Sequence, residues 1–165
     1  MDTREYRFID KSEWDRGPWD NEPDKVQWQD VATGLPCIAR RSAMGFWCGY
    51  VGVAEGHPYF EREYDSGVVD LTCHGGLTFN AHCAEDDKEH GICHVPAPGE
   101  PDNVWWLGFD CGHAFDLMPG TVAALRKCDA YHGDFHQQDA YRDLDYVKSE
   151  CAQLAQQLAA VHDST

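Results

Sequence analysis

The fold is decided by one uninterrupted apolar run, Val104-Trp105-Trp106-Leu107-Gly108-Phe109. An apolar run of this length is typical of a central β-strand that is buried on both faces. The run ends in Asp110-Cys111-Gly112-His113, so the same strand would deliver several chemically active side chains to its end. The rest of the chain is therefore interpreted as the sheet around this strand and the elements that cover it.

Stretches on either side of this run indicate further strands. Apolar and polar residues alternate at Val26-Gln27-Trp28, and Gly34 and Gly45 mark turns on either side of the following strand. Together these patterns predict an antiparallel meander. The predicted strands lie at residues 6–9, 26–28, 37–39, 46–53 and 68–73.

The apolar period changes in the last quarter of the chain. From Asp139 onward, apolar residues recur every three or four positions, which predicts a helix of about 22 residues with one apolar stripe. The fold class is therefore α+β: an antiparallel or mixed β-sheet packed by one long C-terminal helix, with extensive irregular loops. We expect an irregular N-terminal arm at residues 1–24 and a single α+β domain at residues 25–165. The stripe consists of Leu144, Val147, Cys151, Leu154, Leu158 and Val161.

The composition limits the possible partners and the compartment. With 13 basic and 29 acidic residues the formal net charge is −16, which disfavours direct binding to nucleic acid or to an anionic membrane. No apolar run is long enough to span a bilayer, and the first residues lack the apolar core of a secretory signal. We therefore expect a cytoplasmic protein whose eight cysteines stay reduced.

Cysteine and histidine cluster in the middle of the chain. Residues 73–113 hold four of the eight cysteines and five of the nine histidines. Thiolate and imidazole together suit zinc, so the clustering predicts a zinc site, although no Cys-x-x-Cys pair occurs. Neighbours on a strand face opposite sides, so only one residue of each adjacent pair would reach the metal. The candidate metal ligands are His74, Cys83, Cys93, His94, Cys111 and His113.

The end of the apolar run also supports a catalytic interpretation. Cys111 could act as a nucleophile with His113 as its base, oriented by Asp110 or Asp116. In a metal-dependent hydrolase, Asp110 or Asp116 would instead be the general base beside an open coordination position. Phosphate-loop and dinucleotide-binding glycine motifs are absent from the sequence, which disfavours nucleotide hydrolysis on a phosphate loop and Rossmann-type dehydrogenation.

A third interpretation is a binding pocket for a planar ligand. Trp105 and Trp106 could stack on the ligand, and Gly75-Gly76 next to His74 could bring backbone donors close to it. Core packing explains the same tryptophans without any ligand.

Several distinctive motifs are spread over the chain: His74-Gly75-Gly76-Leu77-Thr78-Phe79, then Ile92-Cys93-His94-Val95-Pro96 followed by Pro98-Gly99-Glu100-Pro101-Asp102, then 105–113, and finally Tyr141-Arg142-Asp143-Leu144-Asp145-Tyr146-Val147. These motifs resemble those of a family of small uncharacterised proteins carried by bacteriophages and prophages. The resemblance implies an accessory protein of the host bacterial cytoplasm, but it implies no catalytic residue.

On this basis the sequence predicts a zinc-binding accessory protein that binds a host defence or regulatory protein, or that sequesters a small ligand such as a nucleotide. The first alternative is the metal-dependent hydrolase. The second alternative is an acidic decoy that imitates nucleic acid, for which the acidic residues would have to lie on one stripe.

Overall fold

The computed structural model describes residues 1–128 and 138–161. Its centre is a six-stranded sheet in the order β1-β2-β3-β4-β6-β5, in which every neighbouring pair is antiparallel. The strands are β1 (Arg4–Tyr6), β2 (Lys25–Gln29), β3 (Pro36–Arg41), β4 (Trp47–Ala54), β5 (Phe79–His82) and β6 (Val104–Asp110). The helices are α1 (Pro119–Arg126) and α2 (Leu144–Ala160), and a single 3-10 turn covers Pro18–Asp20.

These elements confirm an α+β fold with an antiparallel sheet and a C-terminal helix. The apolar run predicted as a central strand is β6, which lies between β4 and β5. Residues 68–73, in contrast, were predicted as a strand and have no regular secondary structure. Their apolar side chains Val69 and Leu71 pack against the core from an irregular segment. The prediction is wrong because the segment has the apolar residues of a strand but is not hydrogen-bonded into the sheet.

The alternating side chains of β6 serve two cores, one on each face of the sheet. Trp105, Leu107 and Phe109 point to the face where the buried stripe of α2 lies. Trp106 points to the opposite face, where it is fully buried with Ile38. Both faces of β6 are therefore covered, as its apolar run predicts.

Helix α2 packs closely against the sheet at Gly49 on β4. A Cβ added there would lie 2.4 Å from the ring of Phe109 and 2.8 Å from the Sγ of Cys151 on α2. Real Cβ atoms do not come this near to other heavy atoms, so α2 can occupy its position only because residue 49 has no side chain.

The face opposite α2 is covered by residues 83–103, which we call the cover segment. Lys25, buried on β2, donates hydrogen bonds to the carbonyl oxygens of Lys88 (2.6 Å) and Cys93 (2.8 Å). Gln27 on the same strand pairs with the backbone of Val95 through two hydrogen bonds of 3.1 and 2.8 Å. The cover segment is thus held to the sheet by buried polar side chains as well as by apolar contacts.

Residues 1–24, predicted as an irregular arm, contribute β1 to the sheet edge and carry acids that meet a buried cation. The guanidinium of Arg41 is fully buried and lies 3.5 Å from Glu22 and 3.3 Å from Asp24. It also donates to the hydroxyl of Tyr141 (2.7 Å) and lies 4.3 Å from the ring of Trp47. This network fastens the N-terminal residues to the sheet. No helix among the described residues is long and apolar enough to cross a membrane.

Candidate functional site

Three separated segments bring ionisable side chains together at the end of β6. The first is the turn at residues 73–76, the second is the loop 110–116 that follows β6, and the third is the start of α2. The turn and the loop were singled out by the sequence, whereas the contribution of α2 was not. We call this group the His74–His113 cluster; it consists of His74, Asp110, His113, Asp116, Arg142, Tyr146 and Glu150.

His74 is held by hydrogen bonds on both ring nitrogens. Its Nε2 lies 2.7 Å from Oδ2 of Asp116, and its Nδ1 lies 2.8 Å from the hydroxyl of Tyr146. Its backbone N–H donates to Glu150 at 2.9 Å. An ionised carboxylate can only accept, so Nε2 carries a proton, and a neutral His74 accepts the Tyr146 proton at Nδ1. The imidazole is therefore fixed in orientation and tautomer by its neighbours.

Asp116 is the centre of the hydrogen bonding. Besides His74, it accepts from the Nε of Arg142 at 3.0 Å and from the backbone N–H of His113 at 3.2 Å. Burial by itself would raise the pKa of Asp116, but the hydrogen bonds from His74, Arg142 and His113 outweigh burial and lower it. The bond to Asp116 in turn raises the pKa of Arg142. Asp116 is thus a firmly ionised acceptor that connects the turn, the loop and α2.

Tyr146 completes this network from the first turn of α2. The helix begins after Asp143, whose side chain accepts from the backbone N–H of Tyr146 at 2.8 Å and so caps the helix. Burial and the charge of Glu150 raise the pKa of Tyr146, so its hydroxyl stays protonated and can donate a hydrogen bond.

His113 differs from His74 because one of its nitrogens is unsatisfied. Its ring centre is 5.8 Å from that of His74, and its Nε2 is 3.5 Å from Oδ1 of Asp110. That Nε2 is buried and has no hydrogen-bond partner among the described residues, although 36% of the side chain is exposed. His113 is therefore the imidazole of the cluster with unused hydrogen-bonding capacity.

Gly75 makes room for the His113 ring. Its φ is +67°, and a Cβ built on it would lie 2.1 Å from Nε2 of His113. Gly76 also has a positive φ, +85°, but nothing lies within 4 Å of its added Cβ. The two glycines were both predicted to bring the backbone close to a ligand; what the first of them meets is His113.

Phe115 lies between His113 and Asp116 in the loop after β6 and has an unusual backbone conformation. Its φ is +72°, which is unusual for a residue other than glycine, and 69% of its surface is exposed. Such a backbone conformation costs free energy and is found most often at functional sites. The loop thus presents a large apolar side chain to solvent beside His113 and Asp116.

The remaining sequence-predicted catalytic and binding residues lie in the core. Cys111 is 1% exposed, and burial raises its pKa, so a resting thiol and not a nucleophilic thiolate is expected there. Trp105 and Trp106 are both buried and point to opposite faces of the sheet, where their rings contact His82 (4.9 Å) and His94 (5.3 Å). The two tryptophans therefore cannot sandwich one ligand in this arrangement.

The six predicted metal ligands are not brought to one point. His74 and His113 meet in the cluster, but Cys83 and Cys93 are joined by a disulfide bond and His94 lies buried against Trp106. The expectation that all cysteines stay reduced is wrong for this pair, because the cover segment turns back on itself and brings the Cα atoms of Cys83 and Cys93 to 4.8 Å, close enough for the two sulfurs to bond. In residues 1–128 and 138–161, no group of three or more His, Cys, Asp or Glu side chains is arranged to hold a metal ion. Zinc binding stays a prediction.

Arg142, Tyr146 and Glu150 are the residues of the cluster that sequence reasoning missed. Tyr146 and Glu150 are four positions apart and so share one face of α2. The guanidinium of Arg142, which precedes the helix, lies 4.9 Å from the Tyr146 ring. The available signal for Arg142 and Tyr146 was the segment Tyr141-Arg142-Asp143-Leu144-Asp145-Tyr146-Val147, which was interpreted only as a motif of the resemblance and as the start of the apolar stripe.

Comparison with protein-family models, with curated proteins and with solved structures gave no match. The resemblance to small phage and prophage proteins therefore stays a prediction from the motifs, and the function has to be argued from the cluster itself.

Proposed function

We propose that this chain is a small accessory protein that binds a ligand at the His74–His113 cluster and hydrolyses it by general acid–base catalysis. One observation carries the proposal: the partly exposed His113 has its Nε2 3.5 Å from Oδ1 of Asp110, and its ring centre lies 5.8 Å from that of the fully hydrogen-bonded His74. Pairs of titratable groups in different environments are typical of acid–base sites.

In this proposal His113 is the general base. Its ring lies between Gly75 and Asp110, and the Asp110 carboxylate is itself held by the Thr78 hydroxyl (2.9 Å) and the Gly112 N–H (2.9 Å). A carboxylate beside one nitrogen of an imidazole orients the ring and stabilises the imidazolium that forms when the other ring nitrogen accepts a proton. Water is the nucleophile, because Cys111 is buried and protonated.

His74 and its partners supply hydrogen-bond donors and the positive charge of Arg142 to the site. Asp116 holds the Nε2 proton of His74, and Tyr146 presents a hydroxyl whose raised pKa keeps it a donor. Arg142 is 32% exposed at its side chain and is fixed by Asp116, so it can face an anionic group on the ligand. Donors aimed at developing negative charge are the commonest source of catalytic stabilisation.

The experiment is hydrolysis of a panel of chromogenic carboxylic and phosphoric esters by the wild-type chain, by His113→Ala and by His90→Ala. His90 is a half-exposed histidine of the cover segment and serves as the matched control. We expect His113→Ala to lose about 10²-fold or more in rate, in line with removal of a general base, and His90→Ala to retain the rate. No hydrolysis by the wild-type chain, or equal rates in both variants, would contradict the proposal.

A second candidate function is binding of a host protein without turnover, and Phe115 favours it. An exposed aromatic side chain held out by a strained backbone is a typical anchor in a protein interface. We expect capture of a bacterial lysate protein by the wild-type chain to be lost in Phe115→Ala and kept in Val31→Ala, since Val31 is equally apolar and fully exposed. Capture that both variants retain would exclude Phe115 as the anchor.

A further inference from the structure

The Cys83–Cys93 disulfide lies outside the His74–His113 cluster and joins two residues of the cover segment. Cys83 directly follows β5, and Cys93 lies ten residues later. The bond therefore closes the first part of the cover segment into a loop next to the sheet face that holds Trp106 and Ile38.

The two cysteines of the disulfide differ in their exposure to solvent. Cys93 is fully buried, whereas Cys83 is partly exposed and lines a surface hollow of about 340 Å³. Thiol–disulfide exchange requires a thiolate to approach one sulfur from outside, and of the two residues Cys83 is the one that reaches the surface.

Cys93 is held to the sheet by its backbone, because the ammonium of Lys25 on β2 donates to its carbonyl oxygen at 2.8 Å.

The hollow beside Cys83 carries acidic residues. Asp86 and Asp102 line it, and the single ammonium of Lys88 lies 3.1 and 3.0 Å from their carboxylates. Two carboxylates against one ammonium leave the hollow negatively charged, so it favours a thiol carried on a cationic molecule or a basic protein surface.

From this geometry we infer that Cys83–Cys93 is a thiol–disulfide exchange site for a dithiol with a positively charged surface, and that exchange releases the first part of the cover segment. A thiolate of the dithiol attacks Sγ of Cys83 and breaks the bond to Cys93, whose sulfur leaves as a thiolate and takes up a proton. The second thiol of the dithiol, as its thiolate, then attacks the dithiol sulfur of this mixed disulfide and expels Cys83 as a thiolate. The dithiol is oxidised to a disulfide and this chain gains two electrons and two protons. Disulfides of this transient kind are the ones found in reducing cytoplasm.

The first test uses the chain with Cys128→Ser, which removes an exposed free thiol that would confuse the chemistry. Dithiothreitol is added without denaturant, and free thiols are trapped by alkylation and located by mass spectrometry. We expect Cys83 and Cys93 to become labelled while the chain stays folded, with faster hydrogen exchange in residues 84–95 and unchanged exchange in α2. A bond that opens only in denaturant, or exchange that rises equally in α2, would overturn the inference.

Single-cysteine variants separate the two sulfurs. In the same background, Cys93→Ser leaves Cys83 free and should form a mixed disulfide with cystamine readily, whereas Cys83→Ser leaves the buried Cys93, which should react much more slowly. Faster reaction of Cys93 would overturn the assignment of the attacked sulfur.

The charge argument has its own control. The rate of reduction by cationic cysteamine is divided by the rate for anionic mercaptoethanesulfonate, in the wild-type chain and in the Asp86→Asn, Asp102→Asn double variant. We expect the quotient to fall about threefold or more in the variant, because removing the two carboxylates slows reduction by the cationic thiol and speeds reduction by the anionic one. An unchanged quotient would contradict the preference for a cationic partner. Ester hydrolysis by His113 is independent of this site, so either proposal can fail without the other.

Discussion

Replacing Gly75 with alanine tests how closely the candidate site depends on one missing side chain. The perturbation has two parts. An alanine at φ +67° pays the cost of the left-handed conformation, about 1–2 kcal/mol, and its Cβ would lie 2.1 Å from Nε2 of His113. A comfortable contact between heavy atoms is about 3.5–4.0 Å, so the imidazole must move by roughly 1.5 Å.

The matched control is Gly76→Ala. Gly76 has a φ of +85° and so carries the same conformational cost, but its added Cβ meets nothing within 4 Å. Any difference between the two variants therefore reports the contact with His113. Overpacking of this kind costs about 1–3 kcal/mol, towards the lower end here because the side chain of His113 is 36% exposed and can move outward.

We accordingly expect Gly76→Ala to lower the free energy of unfolding by about 1–2 kcal/mol and Gly75→Ala by about 2–4 kcal/mol. For a chain of this size each kcal/mol corresponds to about 2–4 °C in Tm. Thermal unfolding followed by near-ultraviolet circular dichroism measures both. In addition, the imidazole resonances of His113 should shift and ester hydrolysis should fall in Gly75→Ala alone. Equal Tm values and unshifted His113 resonances in the two variants would refute the proposed contact and with it the geometry of the base.

The remaining predictions concern charge and metal. Asp116 has a lowered pKa in the folded chain, so its ionised form stabilises the fold above the unfolded pKa of about 3.9, and this stabilisation is lost as the pH falls through the folded pKa. The Tm difference between wild type and Asp116→Asn should therefore shrink on acidification. A Tm difference that does not depend on pH would contradict this prediction. Arg41→Met leaves Glu22 and Asp24 without their buried cation and should lower the free energy of unfolding, measured in urea, by about 3–5 kcal/mol. The control Arg16→Met, whose wild-type side chain is 95% exposed, should change it negligibly. A loss below about 1 kcal/mol in Arg41→Met would show that the network is dispensable. The cysteines and histidines of residues 73–113 predict bound zinc. Elemental analysis of protein purified without added metal should find zinc at a near-stoichiometric level, and the Cys111→Ser, His113→Ala double variant should have lost it. Wild-type protein without zinc would contradict the prediction.

The sequence by itself determined that both faces of the central strand β6 are buried and that helix α2 carries one apolar stripe. Both are local periodic patterns, and burial of apolar side chains follows directly from the spacing of residues along a strand or a helix. The charge and the motif at residues 110–113 likewise pointed to the end of β6 as the place where chemically active side chains gather.

Only the tertiary structure decided which of those side chains meet. His74 and Asp116 are 42 residues apart, and His74 and Tyr146 are 72 apart, so their hydrogen bonds depend on how the turn at 73–76 and the first turn of α2 lie against the loop after β6. The same applies to Cys83 and Cys93, which the sequence placed as separate metal ligands and the fold joins to each other. Periodicity specifies the face of an element on which a side chain lies, whereas partners across segments are specified by packing of the whole sheet, and no local pattern carries that information.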